Sequence, residues 1–407
     1  MNLGRIFRGF VPLLVAGSLW SCAGWAEDAP LAVPAPAATG YLDALDWAFK
    51  FASAIPQKTH GSDRGTCQYN ALTAYIDMGA VDEAIRRVPE MTGYRQGQVY
   101  AAIAGALAAS PVAKDRDRMA EFLERAREAR GKIPEGAQAD WQKDRVSTAI
   151  AVTQAKAGLF EEARTTAALV GPAANILVKI EELGRIADDA DYAATVKEMQ
   201  TMGNSTETAM VGARILDNHA KNLAAERLAE IAGLLVTAAA QTPVPMYGSV
   251  RIDAGRALLA AGRREQGLRV LDETHQEMIS KGLNPRLDVP GLVQMAKVCD
   301  ELGGDPQRAE ALLVEVGDLL GRPDLERDDR VRGTIALAAG YAAHKDSETA
   351  WKHFRAALTG ARDQGNGRPR HMMLTDLCVA IGRCRYSLPA DVSRALEQEW
   401  KRQGPPW

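Results

Sequence analysis

The 407-residue sequence predicts an all-α protein made of successive antiparallel helix pairs, and three observations carry that prediction. Alanine recurs throughout, as at Ala101, Ala102, Ala336, Ala338 and Ala339; it has the best intrinsic helix propensity and permits close helix packing. Apolar residues fall at helical spacing in one segment after another, and no stretch shows the two-residue alternation of a strand. Polar turns return at a nearly constant interval. Gly79 to Gly158 is 79 residues, or two units of about 40; Gly262 to Gly304 is 42 and Gly304 to Lys345 is 41.

Residues 1–26 read as an export signal. Arg5 and Arg8 give a positive start, residues 10–20 (FVPLLVAGSLW) form an apolar run too short to span a bilayer comfortably, and small residues follow. Two processing routes are open. Gly24, Trp25 and Ala26 ahead of Glu27 suit an ordinary signal peptidase. Leu19, Trp20, Ser21 and Cys22 have the form of a lipobox that would leave Cys22 lipidated, with Trp20 where a small or aliphatic residue is usual. Residues 27–40 are a Pro/Ala-rich linker whose prolines prevent a stable helix. The expected location is the periplasm or cell envelope, with the chain free or tethered to the membrane through Cys22.

Residues 41–407 form the helical repeat domain. Residues 41–55 make a first, capping helix, Pro56 stops it, and residues 57–65 follow as a polar loop. The first pair covers residues 67–91. There Gly79 frees the backbone after one helix, and Asp82 and Glu83 favour the positive N-terminus of the next. Further pairs are expected at 98–109 with 115–130, 141–157 with 160–170, 176–186 with 192–202, and 207–221 with 224–240. The prolines of residues 241–246 interrupt the array. Pairs resume at 249–261 with 265–281 and, after a loop at 282–290, at 292–302 with 306–320. Asp305-Pro306 is a start signal, because Asp caps free N–H groups and Pro at the first helical position loses nothing. An eighth pair occupies residues 332–361; residues 371–381 and 389–401 make a ninth, a terminal capping pair.

Within residues 332–361, Tyr341, Ala350, Phe354 and Ala357 stand nine, four and three residues apart around the polar joint Lys345, Asp346 and Ser347. Tyr75, Gly79 and Ala84, and again Gly158 and Ala163, keep related offsets. The pattern resembles the Tyr, Ala, Phe, Ala half of the tetratricopeptide consensus, a helix-turn-helix unit. That family's period is about 34 residues and HEAT-type units run about 40–47, so the unit length here is nearer the second and the turn residues nearer the first. The resemblance implies a right-handed α-solenoid of about nine antiparallel helix pairs, tetratricopeptide-like. It implies a non-catalytic scaffold for protein-protein interaction that holds peptide or protein segments in a concave groove lined by the first helix of each unit. On that geometry Tyr69, Thr73, Asp77, Arg145, Thr148, Arg256, Gln294, Glu301 and Arg332 would face the groove.

Composition narrows the partners. A hydrophobic share of 46% with 25% charged residues is that of a folded protein, not a disordered one. A nucleic-acid binder should show a basic face and a high pI. Here the net charge is −3 and the pI about 6.1, so no nucleic-acid partner is expected.

The residues offer little catalytic chemistry. His60, His219, His275, His344, His353 and His371 are scattered without an HExxH pattern, and no metal site is expected. His353 is expected to point to solvent. There is no GxSxG, and the Gly-rich run at residues 365–369 joins two helices rather than a strand and a helix, so it cradles no phosphate. Cys67 and Cys299 read as small core residues. Cys378 and Cys384 are six residues apart, about 9 Å along a continuous helix and beyond disulfide reach, unless Gly382 ends the helix and folds the chain back. Separate thiols and a local disulfide both stay open.

One enzymatic alternative is an α/α-toroid acting on carbohydrate, which needs paired carboxylates beside aromatic platforms. Asp46-Trp47 and Asp140-Trp141 fit superficially, but the loops are short, and Trp47, Trp141 and Trp351 are explained as packing between units. No catalytic residue and no cofactor is expected. A third alternative is a structural envelope protein that associates with itself; oligomeric state and partner identity are open.

Overall fold

The computed structural model describes residues 40–402. The export signal, Cys22, the linker up to residue 39 and the tail from residue 403 lie outside the described residues. Among the described residues there are nineteen α-helices, one short 3-10 turn and no strand, so the chain is all-helical as its alanine content and periodicity predict.

The first seven helices are α1 (Gly40–Ala54), α2 (Gln57–Asp77), α3 (Val81–Arg87), α4 (Tyr94–Ala109), α5 (Ala113–Gly131), α6 (Ala137–Lys156) and α7 (Phe160–Ala168). Then come α8 (Pro172–Leu183), α9 (Asp189–Thr201), α10 (Ser205–His219), α11 (Ala225–Gln241), α12 (Val244–Ala260) and α13 (Arg264–Ser280). The last are α14 (Pro285–Glu301), α15 (Pro306–Leu320), α16 (Arg327–Ala343), α17 (Ser347–Arg362), α18 (Gly367–Arg383) and α19 (Ala390–Lys401).

The turns follow the chemistry that predicts them. Gly79, Gly158, Gly262 and Gly304, the glycines that set the period, take φ of 78°, 83°, 73° and 58°, a region other residues enter only at a cost. Asp305 caps α15 by accepting from the Arg308 N–H at 3.1 Å. Asp346 caps α17 in the same way, from Thr349 at 3.0 Å.

Three expected loops are helical wholly or in part. Residues 57–65 belong to α2, whose only irregularity is His60 (φ −136°, ψ 34°). Helix α1 ends at Ala54, just ahead of Pro56, which is also the residue before α2. Arg64 then reaches back to the carbonyls of Ser53 and Ile55 at the end of α1, which fixes the polar segment in place. Likewise α12 starts at Val244 with Pro245 in its first turn. Helix α14 starts at Pro285, behind Asn284, whose side chain accepts from Arg286 at 3.1 Å. Proline in a first turn gives up an N–H that has no partner there anyway, so these prolines open helices rather than interrupt them. Pro290 sits farther inside α14.

The described chain divides into two compact units. The central unit is Gly171–Leu283. In it α8, α10 and α12 lie side by side with α11 and α13 packed behind them, around a core that includes Ile180, Met199, Ile215, Leu235 and Leu258.

The other unit joins residues 40–170 to residues 284–402. Its first helices form one layer in the order α14, α16, α18, α2, α4, α6. Behind them stand α15, α17, α1, α3, α5 and α7. Helix α1 therefore caps no free edge; it packs on α18, more than 310 residues away in sequence, as well as on its neighbour α2. Leu45 of α1 lies directly on Gly382, where any added side chain would collide with it. Phe51 is fully buried between Trp47, His371 and Trp400, at ring separations of 5.7, 5.5 and 6.0 Å. Helix α19 is held at this junction by Asp391 to Arg355 (2.8 Å) and Glu399 to Arg362 (3.0 Å). The expectation of two separate terminal caps is thus corrected. The apolar face of α1 finds its complement in the last helices rather than in solvent.

Candidate functional site

Most of the nine sequence-predicted positions turn out to be occupied by internal bonds. Thr73 is nearly buried on α2 and its hydroxyl donates to the Tyr69 carbonyl at 3.0 Å; Thr148 on α6 donates to the Asp144 carbonyl at 2.8 Å. Asp77 is ion-paired to Arg383 at 2.7 Å and Arg256, on α12 of the central unit, to Asp217 at 2.6 Å. Arg332 on α16 faces Asp376 at 3.6 Å. Gln294 is half-buried on α14, and Glu301 ends that helix, its carboxyl pushed above the usual range by desolvation.

Two of the nine, Tyr69 and Arg145, are brought together with three residues that repeat position did not single out. The close approach of α4 and α6 builds the setting. Val146 abuts Gly97 and Thr153 abuts Gly105, and the Thr153 hydroxyl donates to the Ala101 carbonyl at 3.1 Å. This sets the first turn of α4 beside the second and third turns of α6, so Tyr94 and Arg95 stand beside Trp141 and Arg145. The Arg95 guanidinium lies 4.9 Å from the Tyr69 ring and 5.0 Å from the Tyr94 ring. Tyr94 meets Trp141 edge to face at 5.1 Å, and Arg145 lies over Trp141 at 5.2 Å. The stem of Arg95 passes over Gly65 on α2.

The electrostatics of this cluster differ from the rest of the layer. Arg95 donates one N–H to Gln98 at 3.1 Å, while its Nε is buried without a hydrogen-bond partner. Burial lowers the proton affinity of Arg145, Tyr94 opposes that effect, and the positive Arg95 adds to it. Among the described residues neither guanidinium is paired with a carboxylate.

Trp141 packs on Tyr94 of the preceding pair and also remains 45% exposed. Trp47 packs against Trp400 of α19, and Trp351 against Tyr386. The signal available in the sequence was the Trp141–Arg145 spacing of four, which stacks a guanidinium on an indole along one helix face. Nothing local marks Arg95, because its role arises from the packing of α2 against α4.

The remaining chemistry is structural. Asp46, one of the carboxylates that fitted a sugar site, accepts from the Tyr75 hydroxyl and from Arg87. His353 does not point freely to solvent but stacks on Tyr341 at 5.4 Å, nearly parallel. His344 faces Asp300 at 3.1 Å and His371 bonds the Gly367 carbonyl at 2.7 Å. Among the described residues none of Cys67, Cys299, Cys378 and Cys384 forms a disulfide, and α18 continues to Arg383 without folding back at Gly382. Burial pushes Cys67, Cys378 and Cys384 well away from thiolate formation. Among the described residues no group of three or more His, Cys, Asp or Glu could hold a metal ion, and no helix is long and apolar enough to cross a membrane.

Asp376 on α18 carries a pH signature. Desolvation pushes its carboxyl up to about 6, against the pull of Arg332. The folded state therefore holds this proton more tightly than the unfolded chain, whose carboxyl titrates near ~3.9. The group's contribution to stability falls as the pH rises from about 4 to about 6. Asp376→Asn is expected to stabilise the protein at pH 7 by about 1–2 kcal/mol, allowing for the partial exposure of the carboxyl, and by almost nothing at pH 4. Urea midpoints of both proteins at the two pH values check this; an equal shift at both would exclude it.

Comparison with family models, with curated proteins and with solved structures gives no match for this chain.

Proposed function

We propose that the chain is a non-catalytic scaffold of tetratricopeptide-like type, a right-handed α-solenoid of about nine helix pairs that holds a protein or peptide partner along its first helices. With an export signal at its N-terminus, it works in the bacterial cell envelope, in the periplasm or tethered through a lipid on Cys22. One observation carries this reading. On a layer where the predicted charges Asp77 and Arg332 face internal partners, Arg95 and Arg145 form a half-buried pair of cations without a carboxylate partner, framed by Tyr69, Tyr94 and Trp141. Desolvated charge without a partner costs folding free energy, and Arg with Tyr and Trp is the side-chain set that dominates binding hot spots.

The test is crosslinking of the tagged protein in intact cells, with capture from envelope fractions and identification by mass spectrometry. The control carries Arg95→Glu and Arg145→Glu. A discrete partner captured by the native protein and lost in the control is the expected result. Self-crosslinks alone would replace this reading with the self-associating alternative, and recovery only from the cytoplasm would overturn the envelope location.

A further inference from the structure

The aromatic rings of the cluster indicate what kind of partner it takes. Arg95 lies over the rings of Tyr69 and Tyr94, Arg145 lies over Trp141, and Tyr94 meets Trp141 through an edge. A sugar or a nucleobase stacking on these rings would compete with the guanidiniums for their faces. A guanidinium over a ring can still donate its remaining N–H groups to a carboxylate; Arg95 has its Nε buried and one N–H given to Gln98, which leaves its terminal nitrogens for that bond. Both arginines are half-buried, so such a bond forms in a medium less polar than water, where it is stronger.

The two arginines also fix a spacing. They start from neighbouring packed helices, whose axes lie about 8–10 Å apart. An extended polypeptide advances about 3.3 Å per residue with alternate side chains on one face, so carboxylates two residues apart, about 6.6 Å, can each reach one of the two helices. Resting on the scaffold reading above, we propose that the Tyr69, Tyr94, Arg95, Trp141 and Arg145 cluster binds an acidic polypeptide segment in extended form, each guanidinium taking one Asp or Glu carboxylate.

The probe is fluorescein-labelled hexaglutamate with an amidated C-terminus, so that only side-chain carboxylates can bind; hexaglutamine is the neutral control. Anisotropy with the purified protein is expected to show salt-sensitive binding of hexaglutamate and none of hexaglutamine. Arg95→Gln and Arg145→Gln are each expected to weaken it about tenfold or more, and Arg145→Lys, which keeps the charge but loses the fork, to give an intermediate loss. Arg332→Gln, whose arginine faces Asp376, should bind within about twofold of the native protein. Circular dichroism establishes that each variant is folded. If a glutamine variant unfolds, the comparison of hexaglutamate with hexaglutamine on the native protein decides alone. Equal binding of both peptides, unaltered binding in folded variants, or a heparin oligosaccharide that binds as tightly and responds to the same variants would overturn the proposal. A crosslinked partner without an acidic segment would overturn this inference and leave the scaffold standing; hexaglutamate binding with no captured partner would do the reverse.

Discussion

Phe51→Ala is expected to lower the free energy of unfolding of the split unit by about 3–5 kcal/mol, the range for deleting a fully buried aromatic side chain. Phe51 has no exposed surface, and its ring is enclosed by Trp47 from its own helix, His371 from α18 and Trp400 from α19. Its removal leaves a cavity bounded by three helices that converge from opposite ends of the chain, where none can shift inward without losing contact with the others. Phe51→Leu, which keeps most of the volume, should lose considerably less. Urea unfolding followed by circular dichroism measures both. A loss below about 1 kcal/mol for the alanine variant would mean that α1 is not anchored here.

Glu399→Ala is expected to cost a similar amount, about 3–5 kcal/mol, for an electrostatic reason. Glu399 is 2% exposed and is the anion shared by Arg362 (3.0 Å), Arg402 (3.7 Å) and Arg370 (3.9 Å). Arg362 and Arg402 can turn to water. Arg370 is buried, burial and Arg402 already lower its proton affinity, and its Nε has no hydrogen-bond partner. Without Glu399 it becomes a buried cation with no counter-charge. Replacing both partners, Glu399→Leu with Arg370→Leu, should recover much of the loss, because two apolar side chains need no compensation. A double-mutant cycle in guanidinium chloride, which also screens the exposed pairs, measures the coupling. Single variants that unfold within 1 kcal/mol of the native protein would mean that water reaches Arg370.

Local features of the fold were legible and non-local ones were not. Gly79, Gly158, Gly262 and Gly304 mark turns because their positive φ is a property of the residue itself. Asp305-Pro306 marks a helix start for the same kind of reason. The prolines at 243–245 and 285 were ambiguous, since a proline can precede a helix or break one, and only the first-turn geometry distinguishes the two. The seat of α1 on α18 left no trace in either helix taken alone: Leu45 and Gly382 become meaningful only as a pair. The candidate site divides in the same way. Tyr69 and Arg145 follow from repeat position, whereas Arg95 acquires its role from a neighbouring helix, through Gly65 and Tyr69.

The meeting of α1 and α18 also sets an order in time. The central unit is one uninterrupted segment, so all of its contacts can form while the ribosome is still adding the residues that follow it. The split unit cannot be completed until Arg383 has emerged, and α1 must wait, its apolar side chains exposed, through the synthesis of more than 300 residues. A chain stopped before residue 367 would therefore lose more than its last pair of helices. It would strand its first helix as well, and present to chaperones and proteases the surface formed by Leu45, Phe49 and Phe51.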